Sequence, residues 1–132
     1  MSERVLIVED EAIVALTLED VLTAAGYVVC CIAARPDEAL AYVQAHGIDI
    51  AVIDVRLADG GDGIALAHQL AALGSMLILF ATGNPAEVRN RARVGHGCLT
   101  KPFEGEWLIA AIEAIRAGKQ PVLPGYFSLP IR

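Results

Sequence analysis

The sequence predicts an α/β fold, a doubly wound parallel sheet of five strands with helices on both faces. Three observations predict it. Five short apolar runs recur along the 132 residues, each followed by a segment whose apolar residues have helical spacing. The runs are nearly continuous in Val, Ile, Leu and Ala instead of alternating with polar residues, as strands covered on both faces require. Gly26, Gly47, Gly74 and Gly118 close the helical segments.

Arg4 to Val8 is the first strand, and it runs into three acids, Glu9, Asp10 and Glu11. From Glu11 to Ala25 a helix is expected, with Val14, Leu18, Val21, Leu22 and Ala25 on its inner face. Tyr27 to Ile32 is β-branched and apolar, a second strand; Pro36 and Asp37 then open a helix carrying Ala39, Leu40 and Val43. Ile50 to Asp54 is the third strand, an apolar run that ends in a lone carboxylate. The glycine-rich loop from Arg56 to Gly63 permits a tight passage, and the third helix is expected from Asp62 to Leu73.

Met76 to Ala81 is the fourth strand. Thr82 and Gly83 follow, Asn84 takes the N-cap position, and Pro85 starts a short fourth helix whose neighbourhood carries Arg89, Arg91 and Arg93. Those arginines form either a solvated face or a small basic binding surface. Gly97 to Thr100 is the fifth strand, and Glu104 to Ala117 the fifth helix. Pro121 to Arg132 holds three prolines and a glycine, so no further regular element is expected there.

Five β-then-α units joined by right-handed crossovers give parallel strands. The expected arrangement is flavodoxin-like, (βα)5, with strand order 2-1-3-4-5. The strand ends then share one rim, which gathers Glu9, Asp10, Asp54, Thr82 and Lys101.

Composition narrows the function. The length fits one domain with a real core, and a separate effector domain is not expected. A net charge of −6 without a long Lys/Arg run argues against nucleic acid or an anionic membrane as the main ligand. No leader-like segment opens the chain and no apolar stretch reaches the length of a membrane span, so a cytoplasmic protein is expected. Cys30, Cys31 and Cys98 lack metal-ligand spacing and read as buried thiols.

Taken singly, Asp54 reads as a loop cap, Thr82 as a helix cap and Lys101 as a surface cation. Together on one rim they make a site. Clustered carboxylates repel unless a cation sits among them, and hard oxygen ligands suit Mg²⁺. A carboxylate beside a divalent ion and an ammonium group is a competent nucleophile toward phosphorus, with Lys101 and Thr82 placed for phosphoryl oxygens.

Val8, Glu9 and Asp10, Asp54 after an apolar strand, Thr82 after another, and Lys101, Pro102 and Phe103 resemble the receiver domain of two-component response regulators, of the CheY-like type. The resemblance covers roughly residues 3 to 118, leaving 119–132 as an apolar, proline-containing tail. It implies that Asp54 accepts a phosphoryl group from a sensor histidine kinase or a histidine phosphotransfer protein. It also implies that Asp10, Asp54 and the backbone carbonyl of Arg56 ligate Mg²⁺, with Glu9 acting through water. Lys101 would bind the phosphoryl group, Thr82 would swing toward it, and the Lys101–Pro102 bond would be cis.

The pattern departs from the family in places. Cys98 stands where most receivers carry the Tyr or Phe that turns inward with the threonine, so the output is expected through the segment from the fourth strand to the fourth helix. Phe80, Ala81, Thr82 and Gly83 resemble the Phe-Ala-Thr-Gly motif of an atypical receiver subgroup, as does the longer loop from Leu57 to Gly63. Arg56 and Asn84 sit two residues past Asp54 and Thr82, where side chains flank the hydrolytic water and modulate phosphate lifetime. On the fifth helix Trp107, Ala110 and Ala114 form a second apolar line. It serves homodimerisation or partner docking, or else packs under the tail. The tail's Val122, Leu123, Tyr126, Phe127, Leu129 and Ile131 are too apolar for a solvated linker; the tail folds back, exchanges with a neighbour or lies disordered.

The reading is a single-domain response regulator that signals by contact with a downstream protein target. The alternatives are a receiver cut from a longer regulator and a phosphorylation-independent interaction module. A phosphohydrolase usually needs a second Asp two residues past the nucleophile, where Arg56 stands.

Overall fold

The computed structural model describes residues 2–130. Five helices and one six-stranded sheet carry the fold. In chain order the main elements are β1 (Arg4–Val8), α1 (Ala12–Ala24), β2 (Val28–Ala33), α2 (Pro36–His46), β3 (Ile50–Ile53) and α3 (Gly63–Leu73). β4 (Leu77–Thr82), α4 (Pro85–Arg91), β5 (Gly97–Thr100), α5 (Gly105–Arg116) and β6 (Tyr126–Ser128) follow. In these labels the sheet order is 2-1-3-4-5-6, and all neighbours are parallel except β5 with β6. The expected order therefore stands, with a strand added at its edge.

Alternation along the buried strands splits the core between the two faces of the sheet. On one face Leu6, Val8, Ala51, Ile53, Ile78 and Phe80 meet α2, α3 and α4. On the other, Val5, Ile7, Val52 and Leu79 meet Ala15, Leu18 and Leu22 of α1 and Leu108, Ala111 and Ile112 of α5. Both faces of the central strands are covered, which is why β3 is apolar throughout.

The tail corrects one expectation. Pro121, Pro124 and Pro130 bracket Tyr126–Ser128 without interrupting it, and an edge strand needs hydrogen bonds on one side only. β6 pairs antiparallel with β5 through Gly97–Ser128, Cys98–Phe127 and Leu99–Tyr126, so the sheet has six strands instead of five. Of the arrangements open to the tail, it takes the folded-back one; Ile131 lies outside the described residues. A second difference is a small ribbon in the glycine-rich loop, where Arg56–Leu57 pairs with Gly61–Asp62. Asp62 is the N-cap of α3, not its first residue, and its carboxylate accepts from the Ile64 and Ala65 N–H groups.

Candidate functional site

The parallel ladder delivers the acids. Val8 pairs with Ile53, the Glu9 N–H donates to Ala33 and the Asp54 N–H donates to the Val8 carbonyl at 2.9 Å, so the residues just past β1 and β3 stand side by side. Glu9 and Asp54 are buried, at 3% and 8% exposure, while Asp10 faces solvent. Carboxylate oxygens of Glu9, Asp10 and Asp54 lie within 4.8 Å of one another.

Lys101 follows the end of β5, and its backbone N–H donates to the Thr82 carbonyl. Its Nζ donates to Glu9 Oε1 at 2.5 Å and to Asp54 Oδ2 at 2.9 Å, joining the two buried acids. Asp54 Oδ1 accepts from the Val55 N–H at 2.7 Å, and Glu9 Oε2 from the Glu11 N–H at 3.2 Å. Burial pushes the Glu9 carboxyl above its usual range, only partly opposed by its hydrogen bond to Lys101. Burial also weighs against the Lys101 ammonium, but the hydrogen bonds it donates to Glu9 and Asp54 outweigh it and hold the group above its usual value. The Lys101–Pro102 bond is cis.

Three carboxylates facing one ammonium leave an excess of negative charge on hard oxygen donors. That donor set fits Mg²⁺, which takes one or two protein carboxylates and completes its shell with water and phosphate oxygens.

Thr82 closes β4 beside Thr100 and is fully buried, its Oγ1 accepting from the Asn84 N–H at 3.0 Å. Asn84 stands at the N-cap of α4, but its side chain makes no capping bond. The Arg56 side chain is exposed and turns to α4, where its Nε meets Glu87 Oε2 at 3.4 Å. Trp107 is half-buried against the α1/α5 core cluster, as are Leu123 and Tyr126 of the tail; Ala114 is half-buried and Ala110 exposed. Trp107, Ala110 and Ala114 belong to α5, apart from the acidic rim.

Gly63 is a site residue that the spacing of motifs did not reveal. A Cβ there would stand 1.8 Å from the Asp54 carbonyl oxygen and 3.1 Å from Ile53 Cγ2. The first residue of α3 thus lies directly on the backbone that holds the central carboxylate. The signal was present in the run Gly60, Gly61 and Gly63, but it also fits a merely mobile loop.

Residues 5–113 match the response regulator receiver domain family. The chain is 34% identical over 113 residues to the transcriptional regulatory protein PdtaR of Mycobacterium tuberculosis, an alignment covering 83% of this chain and 55% of PdtaR. The chain thus spans about half the length of that relative. It is 28% identical over 118 residues to the chemotaxis protein CheY of Thermotoga maritima, covering 87% of this chain and 98% of CheY. The receiver domain of the PhyR response regulator of Erythrobacter litoralis has the same fold, with a TM-score of 0.81 at 24% identity over 92% of this chain and 95% of that one. With the acids, the lysine and the sheet order in place, the chain belongs to the response regulator receiver domain family.

Proposed function

We propose that this receiver is a phosphorylatable switch with Asp54 as its acceptor. The observation that carries the reading is the bridge from Lys101 to the buried Asp54 and Glu9, with Asp10 within reach of both. An Asp54 oxygen attacks phosphorus, the P–N bond of a partner's phosphohistidine breaks, and the imidazole nitrogen keeps the bonding electron pair. Lys101 is already hydrogen-bonded to the attacking carboxylate and neutralises charge on the transferring group. Thr82, one strand away, offers its hydroxyl to a phosphoryl oxygen. Asp10, Asp54 and the Arg56 carbonyl would hold Mg²⁺, with Glu9 acting through water; bound there, it supplies further charge neutralisation at the phosphoryl oxygens.

The phosphodonor is a protein, a sensor histidine kinase or histidine phosphotransfer protein. Beside Lys101, an open cavity of about 490 Å³ is lined by Ile13, Val14, Val21, Pro102 and Phe103, and Ile13 is 80% exposed. An apolar surface next to the acceptor suits a protein donor better than a small polar one. We assign the receiver to 1–118 and its output to contact with a protein target. Phe80 to Gly83 support placement in the Phe-Ala-Thr-Gly subgroup. A cytoplasmic location agrees with the described helices, none of which is long and apolar enough to cross a membrane.

The test is intact-protein mass after incubation with acetyl phosphate or a phosphorylated histidine kinase, with and without Mg²⁺, alongside Asp54→Asn. A Mg²⁺-dependent gain of one phosphoryl group, absent in the variant, is expected. No gain from either donor overturns the reading in favour of a phosphorylation-independent interaction module.

A further inference from the structure

The tail strand is tied into the domain by side chains as well as by its ladder. Gly97 on β5 leaves the space that the Tyr126 ring fills; a Cβ there would stand 2.1 Å from the phenol oxygen. Phe127 lies opposite Cys98, and directly paired residues share a face of the sheet, here that of α4. Arg89 of α4 stacks its guanidinium over the Phe127 ring at 3.7 Å. The tail therefore brings an aromatic ring alongside Cys98 on β5.

α4 also touches the acceptor loop. It is seven residues long, and Val88 is its buried residue. Glu87 holds Arg56, two positions past Asp54, and Arg91 holds Asp62, the N-cap of α3. One short helix, seated in the core by Val88 and carrying ion pairs on its exposed side, thus connects the acceptor loop on one side with the tail strand on the other.

We propose that residues 121–130 are a displaceable strap over the β5 edge, held through Arg89 and Phe127 and loosened by way of α4 when Asp54 is phosphorylated. This rests on Asp54 being the acceptor. On Asp54, two residues before Arg56, a phosphoryl group turns the single negative charge of the carboxylate into as many as two. They compete with Glu87 for the Arg56 guanidinium, and a solvent-exposed ion pair is weak enough to be lost in that competition. Freed at Glu87, α4 shifts and Arg89 leaves the Phe127 ring. The state of Asp54 is then read out as exposure of the apolar strap.

Cys98 reports the opening, because it is fully buried beside Phe127, its partner across the strand pair, and burial pushes its thiol up to about 12. In a Cys30→Ser/Cys31→Ser background Cys98 is the remaining thiol of the chain. Its labelling by a thiol-reactive disulfide would be followed in the native protein before and after acetyl phosphate with Mg²⁺, intact mass recording the phosphoryl group in each sample. Phosphorylated protein is expected to label at least tenfold faster, and Arg89→Ala and Glu87→Gln to label faster without phosphate, all with little change in urea midpoint. Equal labelling of protein shown by mass to be phosphorylated overturns the strap. If no phosphoryl group is gained from acetyl phosphate or from a phosphorylated histidine kinase, the acceptor assignment has failed; unchanged labelling in Arg89→Ala and Glu87→Gln then overturns the strap independently.

Discussion

Replacing Gly63 by alanine adds one methyl group where α3 closes on the backbone of Asp54. The new Cβ would stand 1.8 Å from the Asp54 carbonyl oxygen, and the group it meets is main chain, with no flexible end to swing aside. Restoring a separation of 3.0 Å, below which real Cβ contacts are essentially absent, requires a displacement of about 1.2 Å, the difference between those two distances. Overpacking of this kind costs about 1–3 kcal/mol, against which the better helix propensity of alanine returns at most about 1 kcal/mol. The displaced backbone carries the carboxylate whose Oδ2 sits 2.9 Å from Lys101 Nζ. A shift near 1 Å at a reacting group lowers rates by roughly 10²-fold. Gly63→Ala is therefore expected to lower the urea midpoint and to slow phosphorylation by acetyl phosphate, followed by intact mass, by one to two orders of magnitude. Gly74→Ala is the control, since its Cβ meets nothing within 4 Å, and it should stay within about 0.5 kcal/mol of the parent. A Gly63→Ala protein with the parent's midpoint and the parent's rate would refute the argument that this contact positions Asp54.

Three further outcomes follow from the same geometry. Mg²⁺ at one hundred times its dissociation constant should stabilise the protein by about 2.7 kcal/mol, and Asp10→Ala should remove most of that gain in a thermal melt. Burial works to raise the Asp62 pKa, but Arg91 and the N–H groups of Ala65 and Ile64 outweigh it and bring the carboxyl below its usual value. Its contribution is therefore complete above the unfolded value near 4 and is lost as pH falls through the lower folded value. Because the side chain is 39% exposed, screening limits this to less than about 1 kcal/mol. Asp62→Asn, which keeps the cap, should differ from the parent at pH 6 in urea titrations and converge with it once the pH has fallen below the lowered folded value. Gly97→Ala should push the Tyr126 ring aside and speed Cys98 labelling several-fold, and unchanged labelling would show that the ring does not hold the strap.

How much of this was legible follows from how far apart the determinants lie. The strands of the parallel sheet and the helices between them are encoded locally: continuous apolar runs, Pro36 and Pro85 at helix starts, and Gly26, Gly47 and Gly118 with positive φ at helix ends. The rim then follows from topology, because parallel strands put Glu9, Asp54, Thr82 and Lys101 at one end. β6 escaped because its three residues have no pattern of their own, and its prolines counted against it. Pairing with β5, Gly97 beneath Tyr126 and Arg89 on Phe127 make it a strand, and all of these are tertiary. The same holds for α4. Its arginines read as a solvated face or a basic surface, whereas Arg91 finds Asp62 across 29 residues and Glu87 finds Arg56 across 31.

The charge at the rim is the physical ground for the proposed role of a cation. Two buried carboxylates with oxygens within 4.8 Å repel by about 3 kcal/mol at an effective dielectric constant of about 20. Lys101 answers this repulsion by bonding to both, while burial makes Glu9 hold its proton more tightly. With all three acids ionised and Lys101 charged, the formal balance is −3 + 1 = −2. A phosphoryl group arriving at Asp54 adds negative charge to that surplus, so the lysine alone cannot make the site receptive. A divalent cation held by Asp10 and Asp54 would bring the balance to zero before transfer. Lys101→Gln should therefore abolish phosphorylation even in saturating Mg²⁺, since it returns one uncompensated charge to the buried pair. Transfer at the parent's rate in that variant would show that neutralisation by the metal is sufficient and that Lys101 serves only to hold the empty site together.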